Sequence, residues 1–354
     1  QRERLTWVLL GFFVVGYGVY GQALAAPGTW TVWSFYLFGD LFSTLMVAAF
    51  FAFLNDSVSA AAAKRLYGIA GLGGVLGGVL GSTVLRAFVH TLAPSTWLLV
   101  CAAVAVTIGV VAKVAARHAP VSAEGLPGPD AADEPGAAVA WRGAQLVARS
   151  RYLFAIVAIV GAYEISSTLM DFQFTSSVAH YLDGTAIRSH LATVFAITNA
   201  TALLVQLLVT SPVMARYGVG VALLVLPLTA FGGSGLFLVA PVLWAGSLLT
   251  VADNAFSYSI HQSAKEALYV PTSRSEKYQA KAFIDMFVMR FAKVLAVVVS
   301  LGVAALFREY DSVRWLSLVT FVVLLGWIAA ARYAGRRFAE IEALPAPTAG
   351  AAVR

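Results

Sequence analysis

The sequence predicts an all-α bundle of membrane-crossing helices, and three observations carry that expectation. Hydrophobic residues make up 60% of the chain and charged residues only 12%, with a mean hydropathy of +0.80. A soluble domain needs more charge than this to solvate its surface. Apolar runs close to the roughly 20 residues that carry a helix across the hydrocarbon core recur along nearly the whole chain. The basic residues then alternate sides between those runs, as the positive-inside rule requires.

Ten spans are expected, at residues 7–25, 30–54, 66–92, 96–116, 152–181, 190–210, 219–239, 242–264, 282–307 and 313–333. Of the 24 Lys and Arg, 18 fall on one side of these spans, from Arg2 and Arg4 to Arg336, Arg337 and Arg354. Arg86, Arg290 and Lys293 lie within spans, and only Arg188, Arg308 and Arg314 fall to the opposite side. Both termini are therefore expected in the cytoplasm. Topology accounts for the formal charge of +6, so a nucleic-acid partner is not expected.

Residues 117–150 contain Pro120, Pro127, Pro129 and Pro135 beside Glu124, Asp130, Asp133 and Glu134. This is the composition of a flexible cytoplasmic linker. It divides the chain into an N-terminal half of four helices at 1–116 and a C-terminal half of six at 151–338, followed by a disordered tail at 339–354. Six helices on each side of a cytoplasmic linker is the layout of major facilitator transporters, whose halves are parallel repeats. On that major-facilitator-like template about ten of twelve helices are present and the first two are missing, and the chain opens on Gln1 rather than methionine. The repeat pairs Asp40 with Asp253, 213 positions later (253 − 40), and Trp33 with Trp244, 211 later (244 − 33).

Enzyme chemistry finds no foothold. The one cysteine, Cys101, excludes a disulfide and a cysteine metal site. The five histidines are scattered, with no metal-binding spacing and no nucleophile elbow, so neither metal nor cofactor is expected. His261 alone lies on a polar stripe and is kept as a candidate cavity residue. Gly73, Gly77 and Gly81 recur every four residues, a smooth stripe for close helix packing, while the sequence around them matches neither a phosphate loop nor a dinucleotide fingerprint.

Charge inside lipid costs roughly 2.5–3.5 kcal/mol per group on insertion scales, so its placement is informative. Asp40, Glu164, Asp253, Arg290 and Lys293 fall near mid-span, and Asp171 falls toward the outer end of its span. Glu164, Thr168, Asp171 and Thr175 form one stripe; Thr250, Asn254, Ser257, Tyr258 and His261 form another. Such stripes face a bundle interior or a water-filled cavity. Ion pairing that locks helices together is the plainer reading of these charges, and it suits Asp285, four residues after Lys281. Arg86, near a span end, can snorkel. Arg290 and Lys293 are different: about 60° apart on one helix, they suit a multiply charged anion, with arginine able to grip phosphate as a fork.

Two stretches resemble the ATP/ADP translocase family. The first is FFAFLNDSVSAAAAKRLYGIAGLGG, from Phe50 to Gly74, with Asn55, the Ala-Lys-Arg-Leu-Tyr run and the glycines. The more specific is SAKEALYVPTSRSEKYQAKAFID, from Ser263 to Asp285, with Glu266-Ala-Leu-Tyr-Val-Pro271 and the Ile284-Asp285 pair. The resemblance implies a nucleotide exchanger. It also implies roles for Asp40, within one position of a family glutamate, for Asp171 at an acidic position, and for Lys293 at a lysine downstream of the Ile-Asp pair. Thr175 departs from the pattern, standing where nucleotide exchangers tend to carry a lysine. A further family lysine belongs to the early helices, which this chain does not include.

The expected function is secondary transport of a phosphorylated anion by alternating access, in a bacterial inner membrane. Expected partners are a nucleotide or other anionic metabolite and the lipid bilayer. The expected substrate-binding residues are Lys293, Arg290, Asp40, Asp171, Asp253, Glu164 and Asn254. A carrier for another organic anion or metabolite is the alternative within transport. A membrane anchor or sensor module of a larger protein is the alternative outside it.

Overall fold

The structure, a computed structural model, describes residues 2–26, 28–57, 60–118, 136–269, 272, 279–281, 283–306 and 309–342. Regular structure among the described residues is helical throughout. The α-helices are α1 (Arg2–Ala23), α2 (Thr29–Ser57), α3 (Ala60–Phe88), α4 (Pro94–His118), α5 (Gly136–Arg149), α6 (Arg151–Tyr181), α7 (Gly184–Val205), α8 (Ser211–Val239), α9 (Leu243–Phe256), α10 (Gln262–Ala267), α11 (Met289–Leu306) and α12 (Leu316–Glu342). Wider π-helical turns follow α7 (Gln206–Thr210), follow α9 (Ser257–His261) and precede α11 (Ile284–Val288), and a 3₁₀ turn (Tyr310–Trp315) leads into α12.

The expectation of ten spans in a major-facilitator arrangement is not met. Among the described residues, five helical stretches are long and apolar enough to cross a membrane: Ser95–Ala115, Arg151–Tyr181, Gly184–Val239, Met289–Leu306 and Tyr310–Ile341. The chain is an integral membrane protein, an all-α polytopic bundle. The spans expected at 190–210 and 219–239 fall in one 56-residue apolar stretch, in which two helices meet at a kink at Gly218, whose φ of 80° breaks the helical path just before residue 219. At the span expected at 242–264, α9 runs on through the π-helical turn into α10, and Asp253, Asn254, Ser257, Tyr258 and Ser259 dilute the apolar run. Within α1 and α3, the stretches Val8–Ala23 and Leu76–Phe88 are apolar.

The chain divides into two compact units, one of residues 1–74 and 87–133, the other of residues 75–86 and 134–354. In the first, α1 packs on α4 and α2 around Phe13, Tyr17, Phe38 and Leu98. The Phe13 ring meets Phe38 at 5.3 Å and Phe42 at 5.0 Å, edge to face. Gly16 makes room for this aromatic cluster, since a Cβ there would strike the Phe38 ring.

In the second unit α6 is the central helix, packed by α5, α9, α11 and α12, while α8 packs on α9 and α12. Ile156, Leu169, Leu226, Phe237 and Trp327 are fully buried between them. Small residues decide the closest approach. A Cβ on Gly335 of α12 would meet the Gly220 backbone of α8, so only glycine lets these two helices touch. Buried Gln173 ties α6 to the start of α12, donating to Val313 O at 3.2 Å and Ser317 Oγ at 3.0 Å.

Residues 119–135, half of the expected linker, lie outside the described residues, as does 343–354 of the expected tail. The remainder of that linker forms α5, docked through Gly143, where a Cβ would collide with the Gln279 carbonyl and Phe283. The glycine stripe of α3 also departs from expectation. No described atom lies within 4 Å of a Cβ placed at Gly73, Gly77 or Gly81, and it is Gly78 that packs, against the Asn199 amide.

Candidate functional site

Within the second unit, α6 contributes Glu164 and Asp171, seven residues apart and so on one face. Ser150 caps the start of this helix by accepting from the Leu153 amide at 3.3 Å. From α11, packed alongside, come Arg290 and Lys293, both exposed. They sit in the first two turns of α11, directly after the π-helical turn Ile284–Val288.

The packing of α11 on α6 brings Lys293 near enough to Glu164 and Asp171, and Arg290 near enough to Glu164, for their charges to act. Yet among the described residues neither Arg290 nor Lys293 closes an ion pair, whereas Lys281 reaches Glu266 at 2.8 Å and Arg337 reaches Glu340 at 2.7 Å. Two cations therefore stand in the field of two carboxylates without being neutralised by contact. The Thr175 hydroxyl turns back to its own helix, donating to Asp171 O at 2.9 Å.

Asp253 on α9 behaves differently from the residue the sequence suggested. It is 3% exposed, its Oδ2 accepts from Ser167 Oγ at 2.6 Å, and its Oδ1 has no hydrogen-bond partner among the described residues. Glu164 and Asp171 lie near enough for their charges to act on it. Asn254 spends a donor on Thr250 O at 3.1 Å, within its own helix. His261, 1% exposed, is enclosed by the rings of Tyr163 at 5.3 Å and Trp327 at 5.4 Å, so it lines no open cavity. Neither of its ring nitrogens nor Trp327 Nε1 has a hydrogen-bond partner among the described residues. The Ser257 hydroxyl in the π-helical turn donates to Asn254 O at 3.2 Å.

Asp40 belongs to the first unit, where it is exposed on α2 and lines an open cleft of about 480 Å³ with Phe35, Tyr36, Gly39 and Ser43. Asp40 and Asp253, paired by the sequence offset, thus have unlike surroundings: one is exposed in its unit and the other is buried. The structure brings Glu164, Asp171, Asp253, Arg290 and Lys293 onto neighbouring helices of a single unit. Sequence reasoning missed Ser167, Tyr163 and Trp327. Ser167 lies in an ordinary Ser-Ser-Thr run, and nothing in the chain marks it as the partner of Asp253.

Comparison with known proteins follows the same region. The TLC ATP/ADP transporter family matches residues 228–338, a range that includes the Ser263–Asp285 stretch and excludes Phe50–Gly74. ADP,ATP carrier protein 2 of Chlamydia pneumoniae is 23% identical over 54% of this chain and 39% of the carrier, so the chain spans well under half its length. ADP,ATP carrier protein 1 of the same organism is 21% identical over 91% of this chain and 72% of the carrier. The chloroplastic ADP,ATP carrier protein 1 of Arabidopsis thaliana is 22% identical over 86% of the chain and 53% of the carrier. These relatives are carriers by name, which supports a non-enzymatic role. The chain has a distant link to membrane transporters of the TLC, ADP/ATP-carrier type.

Proposed function

We propose that this chain is the membrane-embedded body of a carrier that moves a phosphorylated anion of the nucleotide class by alternating access. Lys293 and Arg290 would hold phosphate oxygens, with the arginine able to bind two at once. Glu164 and Asp171 would attract Lys293 when the anion has left, and Asp253 and Asn254, on neighbouring α9, would set the polarity around them. The observation that carries this reading is the pair of cations on α11, placed in the field of the α6 carboxylates yet in no ion pair among the described residues. A permanent lock would close such pairs, because an uncompensated charge away from water is costly. The distant link to ADP,ATP carriers supports the substrate class.

Residence in a bacterial inner membrane with both termini in the cytoplasm belongs to the same proposal and rests on the distribution of Lys and Arg. Reporter fusions after Pro120 and Pro345 test it; an external signal from either overturns it. A second reading, transport of an organic anion with fewer phosphates, is favoured by Thr175, which puts a hydroxyl turned to its own backbone where nucleotide exchangers tend to carry a cation. Uptake of labelled nucleotides into vesicles bearing the full-length protein separates the two. Exchange of labelled ATP for internal ADP supports the first, and uptake confined to singly phosphorylated compounds supports the second. No uptake of either overturns both.

A further inference from the structure

A second basic site lies at the other end of α6. Where α5 ends, α6 begins and α12 ends, a cleft of about 480 Å³ is lined by Arg149, Ser150, Arg151, Tyr333, Arg337 and Glu340. We propose that this cleft binds a phosphate group, and that the phosphate is carried by the headgroup of an anionic phospholipid.

The charge balance points to an anion. Three guanidinium groups face one carboxylate, Glu340, which already pairs with Arg337 at 2.7 Å. Arg149 and Arg151 close no ion pair among the described residues, so two planar forks remain for phosphate oxygens. The start of α6 adds to them. Ser150 takes the Leu153 amide, and the earlier amides of this helix, at Arg151 and Tyr152, stay at its positive end, where anions are stabilised.

The position points to lipid. Two stretches of membrane-crossing length, Arg151–Tyr181 and Tyr310–Ile341, meet at this cleft by their ends, which is the depth of the headgroups. Helix α5 leads straight into it and is amphipathic. Gly143 and Val147 face the unit, while Trp141 is 68% exposed on the other side, as befits a helix lying in the membrane interface. Three residues into α6, Phe154 is 61% exposed and offers an apolar wall to an acyl chain. Basic pockets between membrane helices hold anionic headgroups by this combination of charge and depth. The proposal does not rest on the transport reading, and its test measures binding rather than uptake.

The test uses the purified full-length protein in an uncharged detergent, with thermal unfolding followed as phosphatidylglycerol, phosphatidylcholine or inorganic phosphate is added. Phosphatidylglycerol should raise the melting temperature saturably, as a ligand of the native state must, and phosphatidylcholine should not. In Arg149→Gln/Arg151→Gln/Arg337→Gln the half-saturating phosphatidylglycerol should rise by about tenfold or more, the loss expected when charge-assisted contacts to the phosphate are removed. The same response in the triple variant overturns the site. Stabilisation by inorganic phosphate equal to that by phosphatidylglycerol overturns the lipid assignment. If the triple variant yields no folded protein, Arg149→Glu, at an exposed position, should weaken phosphatidylglycerol binding by itself, and unchanged binding overturns the proposal.

Discussion

The Ser167 hydroxyl donates a 2.6 Å hydrogen bond to Oδ2 of Asp253 and so joins the middle of α6 to α9 in the core of the second unit. A carboxyl group buried this deeply is tolerated only when its oxygens are satisfied, and Oδ1 has no partner among the described residues. Ser167→Ala should therefore destabilise the protein by about 1–3 kcal/mol, read as a lower melting temperature in detergent. Asp253→Asn keeps an oxygen to accept from Ser167 and removes the charge, so it should melt at or above the parent temperature. An unchanged melting temperature for Ser167→Ala would show that the bond adds nothing.

Gly335 and Gly220 let α12 and α8 touch through their backbones. Gly335→Val should separate the two helices, and overpacking of this kind costs about 1–3 kcal/mol or more. The expected result is a smaller monodisperse fraction after detergent extraction. Gly326→Ala serves as the control, because no described atom lies within 4 Å of a Cβ there and alanine favours the helix.

Lys293 separates a ligand-binding cation from a structural one. Lys293→Gln in the full-length protein should abolish nucleotide exchange in vesicles while folded protein still reaches the membrane. Lys293→Arg should retain part of the rate, since the charge survives while reach and geometry change. Loss of folded protein in Lys293→Gln, restored by adding Glu164→Gln, would make Lys293 a member of a structural charge cluster instead.

The Lys281–Glu266 pair should matter little to stability despite its 2.8 and 2.9 Å contacts. Both side chains are more than a third exposed, and pairs at that exposure contribute about 0–1 kcal/mol. A double-mutant cycle with Lys281→Met and Glu266→Gln, measured by thermal unfolding, should return a coupling inside that range. A much larger coupling would point to a role in holding α10 against the residues leading into α11.

The membrane class, the helical content and the candidate charges were legible in the sequence because each depends on local chemistry. A run of apolar residues is costly to leave in water wherever the chain takes it, and a charge in such a run is conspicuous. The grouping of Glu164 and Asp171 on one face also follows from helical spacing alone. Hydropathy placed a boundary just before residue 219 but could not show that a kink at Gly218 would make it. Nor could it register the π-helical turns at Ser257–His261 and Ile284–Val288, each an extra residue within a turn that leaves composition unchanged.

Asp253 marks where the sequence stops and tertiary structure begins. The chain by itself determined that this residue is an acid on an apolar helix. Only packing decided that it lies buried against Ser167 while Asp40 stays exposed, and that Gly78 rather than Gly77 meets a neighbour. It was packing, too, that brought the helix of Arg290 and Lys293 beside α6 with neither cation in an ion pair among the described residues. The reason is physical: hydropathy is a property of each segment, whereas burial, ion pairing and close approach depend on which faces of distant helices come together.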